Sequence, residues 1–509
     1  MTRDAAPVLM VLGTASGVGK SVITAGLCRA LARRGHRVAP FKAQNMSLNA
    51  YVTRDGGEIG RSTAVQAEAA GIEVTVDMNP ILLKPEADAR SQVIVRGRVF
   101  RSVSARDYTR GTLDLWPIVV ESLDRLRREY DVVVAEGAGS PVEMNLRNRD
   151  IVNMRVALHT NATVVLVADI DRGGVFAQVV GTLDLLPPDE RNLVTGIIVN
   201  RFRGDPSMFE DGVQMLASLA RTRVLGVVPA VPDLDLPEED SVTLERDGTE
   251  RGRGDVWLRI SVPRLPRIAN FDDFGPLERA GGVSVTYVDR PSALDDVDAI
   301  VIPGTKSTVA DLTFLRERGL DRAIVAAHDR GTPVLGICGG FQMLGQRILD
   351  PDGVESPETD VRGLGLLPLD TTFHPAKRTR RVRARVIALA GPLAPAAGSE
   401  ITAYEIHAGE SAVRDAGLAN AFEIEGIEDG WTRDGLVSAD GLVTGTYLHG
   451  IFANDAIRDG FLGWLADRKG VTVPSGGSAS DPHDRWADTL ERTLDLDRLF
   501  EAVGVESRS

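Results

Sequence analysis

The chain has 509 residues, and at roughly 150 per domain that length accommodates about two to four domains. Its 58 basic and 72 acidic residues leave a net charge of −14, which argues against general binding to a nucleic-acid backbone. Apolar residues make up 43%, too many for a disordered chain, and the two cysteines, Cys28 and Cys338, exclude a disulfide framework or a Cys-rich metal centre.

In chain order, short apolar runs at 8–12, 131–135, 163–168, 194–199 and 224–228 read as strands separated by helix-length segments. The first such segment, 21–34, carries Val22, Leu27, Ala30 and Leu31 near one face, and Gly35 follows as a stop. Buried strands alternating with helices predict an α/β fold with a parallel sheet covered on both faces. Residues 231–254 are rich in Pro, Asp, Glu and Gly and read as a linker. A second α/β series follows at 256–262, 283–288, 299–302 and 333–337. Beyond His374 come Arg- and Val-rich segments with strand character, a strand at 445–448, a glycine–serine loop at 476–480 and a terminal helical region. The expected organisation is a nucleotide-binding domain at 1–230, a linker at 231–254, a second catalytic domain at 255–470, and a C-terminal loop and helix at 471–509. No run reaches membrane-spanning length and the start has no signal-peptide layout, so the expectation is a cytoplasmic protein without membrane partners.

The first strand leads into Gly13-Thr14-Ala15-Ser16-Gly17-Val18-Gly19-Lys20-Ser21 and then a helix, the context of a phosphate-binding loop. Gly13, Gly17 and Gly19 let backbone N–H groups curl around a polyphosphate, and the helix N-terminus favours the anion. Lys20 is then expected to neutralise the β- and γ-phosphates of ATP, and Ser21 to place its hydroxyl on Mg²⁺. The spacing departs from the usual one, with five residues between Gly13 and Gly19. Glu136, ending an apolar strand before Gly137 and Gly139, is the candidate for a second Mg²⁺ contact or for orienting its water, since ligands collect at strand C-termini. Asn200 ends another strand and is a candidate for reading the nucleotide base.

Gly336-Ile337-Cys338-Gly339-Gly340 follows a strand and precedes a helix near Phe341, the layout of a nucleophile elbow with Cys in place of Ser. Small flanking residues permit the sharp turn that exposes the sulfur. His449, expected at the end of a strand, is the candidate proton acceptor, and His407 competes with it. Gly304, in the turn after 299–302, and Gly339 are candidate oxyanion-hole positions. Cys28 reads as core, while His36, His328 and His483 read as solvated.

These residues carry a family resemblance. The elbow and Tyr447-Leu448-His449-Gly450 resemble the class I glutamine amidotransferases, and the N-terminal half resembles the P-loop fold of dethiobiotin synthetase, which shares the five-residue spacing. Their fusion in this order resembles the cobyrinic-acid amidating enzymes. Pro40-Phe41-Lys42-Ala43-Gln44-Asn45-Met46-Ser47, with 57–61, 78–85, 91–95, 169–174 and 200–204, is similar to the cobyric acid synthase family, over roughly residues 8 to 465.

The resemblance implies a carboxylate amidoligase driven by ATP and glutamine. It would amidate carboxylates b, d, e and g of adenosylcobyrinic acid a,c-diamide, giving adenosylcobyric acid in cobalamin biosynthesis. It also implies a Cys338–His449 site that releases ammonia from glutamine. Many class I members carry Glu two residues after the histidine; Ile451 stands there, which leaves a Cys–His dyad or an imidazole oriented by Glu405. For the polyanionic corrinoid, Lys42, Gln44, Asn45, Lys84 and Arg172 are the candidate contacts. The a,c-diamide synthase, another P-loop/glutaminase amidoligase and, in a different class, a partition-type ATPase switch stay open as alternatives, and so does the oligomeric state.

Overall fold

The five apolar runs of the first series and a further short strand, Val38–Phe41, form one all-parallel sheet, in the order Val224–Pro229, Val194–Phe202, Thr163–Asp169, Val8–Gly13, Val132–Glu136, Val38–Phe41. Parallel strands joined through helices are covered on both faces, which is why their sequences are apolar throughout and not alternating. The computed structural model describes residues 5–86, 90–231, 234, 236, 253–414, 417–426, 430–472 and 481–505. The expected linker at 231–254 lies almost wholly outside the described residues, and the expected loop at 476–480 lies outside them entirely. The chain divides into two units: Met1–Ser47, Gly57–Asp240 and Ala479–Ser509 in the first, Leu48–Gly56 and Ser241–Ser478 in the second.

In the first unit the central strand Val8–Gly13 has Thr163–Asp169 on one side and Val132–Glu136 on the other. Its register pairs Val11 with Glu136 and Gly13 with Val167, and Asp169 pairs with Asn200 one strand further on. The glycine loop, Glu136 and Asn200 therefore share the C-terminal edge of the sheet. The helix Lys20–Arg33 is buried on more than one face: Ile23, Leu27, Cys28, Ala30 and Leu31 are all shielded from solvent. The reason is the end of the chain. Helices Pro482–Thr493 and Leu496–Val503 belong to this unit, and Trp486, Leu490, Leu499 and Phe500 join its core. The Trp486 indole N–H donates to the Val22 carbonyl at 2.6 Å, and a Cβ on Gly26 would lie 2.4 Å from Leu490 Cδ1. His36, expected in solvent, is buried.

A second, four-stranded sheet in this unit runs Gln44–Met46, Ile81–Pro85, Arg90–Val95, Arg98–Ser104. It carries Gln44, Asn45 and Lys84.

The second unit has its own sheet, in the order Gly281–Val288, Arg253–Pro263, Ala299–Ile302, Val334–Ile337, Val443–Thr446, Leu436–Val437. All pairs are parallel except the last. Val334–Ile337 lies between Ala299–Ile302 and Val443–Thr446, so the turn after Ile302, the elbow at Cys338 and the segment after Thr446 emerge side by side. The Arg-rich stretch beyond His374 forms part of the strand Leu369–Val386, antiparallel to Glu400–Val413. Among the described residues, no helix is long and apolar enough to cross a membrane.

Candidate functional site

The phosphate-loop residues converge as the strand register requires. Gly17 and Gly19 have φ of 69° and 98°, left-handed conformations that suit glycine, and Gly19 is the N-cap of Lys20–Arg33. A Cβ on Gly13 would lie 2.6 Å from Val18 Cγ2, so the loop closes only over a bare backbone. Lys20 Nζ donates to the carbonyls of Ala15 and Gly139 at 3.0 Å each, at the centre of the loop. Ser21 Oγ donates to Glu136 Oε1 at 2.8 Å.

Glu136 is buried and takes two further donors, Lys42 Nζ at 3.0 Å and Gln66 Nε2 at 2.5 Å. Hydroxyl and carboxylate oxygens side by side are the hard donors Mg²⁺ selects, and Mg²⁺ is usually held by one or two protein oxygens together with substrate phosphates and waters.

Asn200 is buried and its Nδ2 donates to the Val18 carbonyl at 2.9 Å, so this amide braces the loop from behind. Arg201, which sequence reasoning did not single out, has φ of 61° and donates to the Gly17 carbonyl at 2.7 Å and to Asp169 at 3.0 Å. Arg172 exposes 63% of its side chain and reaches to 3.8 Å from where a Gly17 Cβ would sit.

The other candidate substrate contacts are more enclosed. Lys42 pairs with Glu136 and Lys84 with Glu58 at 2.6 Å, both pairs buried. Asn45 donates to Ser62 Oγ at 3.4 Å, and Gln44 Oε1 accepts from the Tyr108 hydroxyl.

In the second unit Cys338 sits at the end of Val334–Ile337 with φ of 52° and ψ of −109°, outside the regions L-residues favour. Such a residue stores about 1–3 kcal/mol and persists only where its surroundings fix it. Here its N–H donates to the Thr446 carbonyl at 2.8 Å, and a Cβ on Gly340 would fall 2.1 Å from the Ile302 carbonyl oxygen. The glycines are thus the condition for the turn. Gly339 packs on the neighbouring turn, where a Cβ would meet Thr305 Cγ2 at 2.6 Å; a Cβ on Gly304 would meet His449 Cε1 at 2.7 Å.

His449 lies past the end of Val443–Thr446, not on a strand as the sequence suggested, and is held by an antiparallel bridge to Tyr404. The Tyr404 ring stacks on the imidazole at 5.2 Å. The orienting acid is neither absent nor Glu405. His449 Nδ1 bonds Asp273 Oδ2 at 2.7 Å, while Asp273 Oδ1 accepts the Gly450 N–H at 2.7 Å. Glu405 instead binds Arg380 and faces His407 Nε2 at 3.6 Å; burial opposes its charge, yet His407 and Arg380 hold its carboxyl below the usual range. His407 stacks on Tyr447 and lines a cavity of about 780 Å³ with Arg378, Arg380 and Arg433, while the imidazole that hydrogen-bonds Cys338 is that of His449.

Burial disfavours an imidazolium at 449, but the Asp273 and Cys338 charges and their hydrogen bonds prevail and push the group up to about 10. An imidazolium beside the sulfur supplies the proton donor that a cysteine nucleophile needs for the leaving group. Cys28 differs: burial, reinforced by Glu136, pushes its thiol up. Asp273 was hidden because it lies 176 residues from His449. Its one signal is an acid placed between Phe271 and Phe274, both of which are buried.

A phosphate loop at a parallel-sheet edge and a Cys–His–Asp constellation on a second α/β sheet define a nucleotide-dependent glutamine amidotransferase. Residues 9–244 match the CobQ/CobB/MinD/ParA nucleotide-binding domain family, and residues 259–457 match the CobB/CobQ-like glutamine amidotransferase domain. Cobyric acid synthase of Chloroflexus aurantiacus is 53% identical, with 97% of this chain and 99% of that protein covered. Those of Chloroflexus aggregans and Sorangium cellulosum are 52% and 50% identical, covering 97% and 98% of this chain and 99% of each relative. The chain belongs to the cobyric acid synthase family, glutamine-dependent amidoligases of cobalamin biosynthesis.

Proposed function

We propose that the two sites divide one reaction: the P-loop unit activates carboxylates of a corrinoid, and the second unit supplies the ammonia that replaces the activating group. The substrate is adenosylcobyrinic acid a,c-diamide, the carboxylates are b, d, e and g, the product is adenosylcobyric acid, and the setting is the cytoplasm. The observation that supports this most is the Cys338–His449–Asp273 constellation in one chain with the Lys20, Ser21 and Glu136 cluster.

At the glutaminase site Cys338 Sγ attacks the side-chain amide carbon of glutamine. Asp273 fixes the imidazole so that Nδ1 faces the carboxylate and Nε2 is left for the sulfur and the leaving nitrogen. His449 holds the thiol proton and delivers it to the departing nitrogen, releasing ammonia and leaving a thioester. Water then attacks the thioester carbon and gives a proton to the neutral His449 Nε2, the C–S bond breaks, and glutamate leaves with the proton again on His449 and the sulfur free. Backbone N–H groups at Gly304 and Gly339 are proposed to receive the oxyanion of each tetrahedral state.

At the other site Lys20 neutralises the charge of the phosphates, and Ser21 and Glu136 would hold Mg²⁺, which would draw charge from the transferring phosphoryl group. A carboxylate is a poor electrophile, and its conversion to an acyl phosphate provides a leaving group that ammonia can displace. Lys42, beside Glu136 and Ser21, is proposed to face the reacting carboxylate. Gln44, Asn45, Lys84 and Arg172 are proposed to shape and charge the corrinoid site, with Arg172 as the exposed cation at the loop. Asn200 is proposed to read the nucleotide base from the strand end, where its amide also braces the loop through the Val18 carbonyl.

The test separates nitrogen supply from activation. Cys338→Ala should lose amidation driven by glutamine and keep amidation driven by ammonium salts; Lys20→Ala should lose both. Loss of both in folded Cys338→Ala, or retention in Lys20→Ala, would overturn the division.

A further inference from the structure

Residues Leu48–Gly56 lie in the stretch matched to the nucleotide-binding family, yet they belong to the second unit. Asn49 is 1% exposed, and its Oδ1 accepts the Phe271 N–H at 3.3 Å; the neighbouring Ala50 N–H donates to Asn270 Oδ1 at 2.9 Å. Asn270 is left-handed, with φ of 54°, and opens the turn Phe271–Phe274 that carries Asp273. On the other side Tyr51 packs its ring 6.3 Å from Tyr404, the residue that bridges and stacks on His449. One short segment therefore touches both supports of the imidazole: the turn that aims the carboxylate and the tyrosine behind the ring.

Resting on the glutaminase reading above, we infer that Asn49 is a positioning residue of the glutaminase site, holding the Asn270–Phe274 turn so that Asp273 meets His449. The turn's own geometry makes the support necessary. A left-handed non-glycine residue at its entry costs energy unless partners over-determine it, and the two hydrogen bonds from 49 and 50 are such partners. Asp273 accepts from both His449 Nδ1 and the Gly450 N–H, so a shift of the turn misaligns both contacts at once. Cys338 and Asp273 are the charged groups that hold His449 in its protonated form.

The experiment is steady-state kinetics on the full chain for Asn49→Ala and Asn49→Asp, with glutamine hydrolysis and ammonium-driven amidation measured separately. Misplacement of a catalytic group by about 1 Å can cost on the order of a hundredfold, so kcat for glutamine hydrolysis in Asn49→Ala should fall about ten- to a hundredfold with KM little changed. Its alkaline limb should move to lower pH, because His449 loses part of the Asp273 support. Asn49→Asp keeps an acceptor for the Phe271 N–H and should recover most of kcat. Ammonium-driven amidation should stay at the parent level in both. Parent-level kcat in Asn49→Ala overturns the inference, and so do equal losses in the two variants or an unmoved pH profile with reduced kcat. Loss of ammonium-driven amidation in both variants would instead count against the division of labour between the sites.

Discussion

At the scale of single residues, the proposed glutaminase turns on Asp273, which holds His449 Nδ1. Its carboxylate is the contact that lets a fully enclosed imidazole carry charge, so Asp273→Asn should bring His449 down from about 10 and weaken the ion pair with Cys338. The expected loss in glutamine hydrolysis is about a hundredfold or more, by analogy with triads that lose their acid. Iodoacetamide alkylation of Cys338 should slow in parallel near neutral pH, while buried Cys28 stays unlabelled in both proteins. Equal alkylation rates would remove Asp273 from this role. Gly304 makes a steric counterpart: Gly304→Ala places a methyl 2.7 Å from His449 Cε1 and should abolish glutamine hydrolysis with ammonium-driven amidation intact. Cys338, Lys20 and Ser21 stood out in the sequence because each lies in a local strand–turn–helix pattern whose spacing has a chemical meaning, and His449 because it follows a short apolar run and precedes a glycine. Asp273 did not, and Arg201 stood only within the motif at 200–204 without a role, since the partners of both are set by tertiary contacts. For Lys42 and Lys84 the sequence displayed the charge but not the buried carboxylate that answers it.

At the scale of elements, the parallel strands were legible because complete burial leaves an uninterrupted apolar run. The four-stranded sheet at 44–104 was not: its strand Arg98–Ser104 is mostly exposed and carries no apolar run. The helix Lys20–Arg33 shows what a one-sided reading misses. Its second buried face is covered by Pro482–Thr493, which returns from the far end of the sequence. Trp486→Ala should therefore destabilise the P-loop unit by about 3–5 kcal/mol, through lost burial and a cavity against Gly26 and Val22. Denaturant unfolding of the full chain, followed with and without ATP, checks this. An unchanged first transition would mean that the C-terminal helices do not support the nucleotide site.

At the scale of the whole molecule, a chain of net charge −14 acts on a substrate with several carboxylates. Two candidate lysines sit in buried pairs, whereas Arg172 and Arg201, which share Asp169 at the rim of the phosphate loop, keep much of their side chains exposed and are the more accessible source of attraction. Salt screens exposed charges over about 10 Å at 0.1 M, so KM for the corrinoid should rise with ionic strength more steeply than KM for glutamine. The central claim is that one chain makes ammonia at Cys338 and uses it at Lys20 to amidate four carboxylates of one corrinoid. Mass spectrometry of the product formed from adenosylcobyrinic acid a,c-diamide, ATP and amide-¹⁵N glutamine tests it most directly. The account predicts four labelled amides per corrinoid with the parent chain and none with Cys338→Ala; a product limited to two, or one carrying no label, would contradict it.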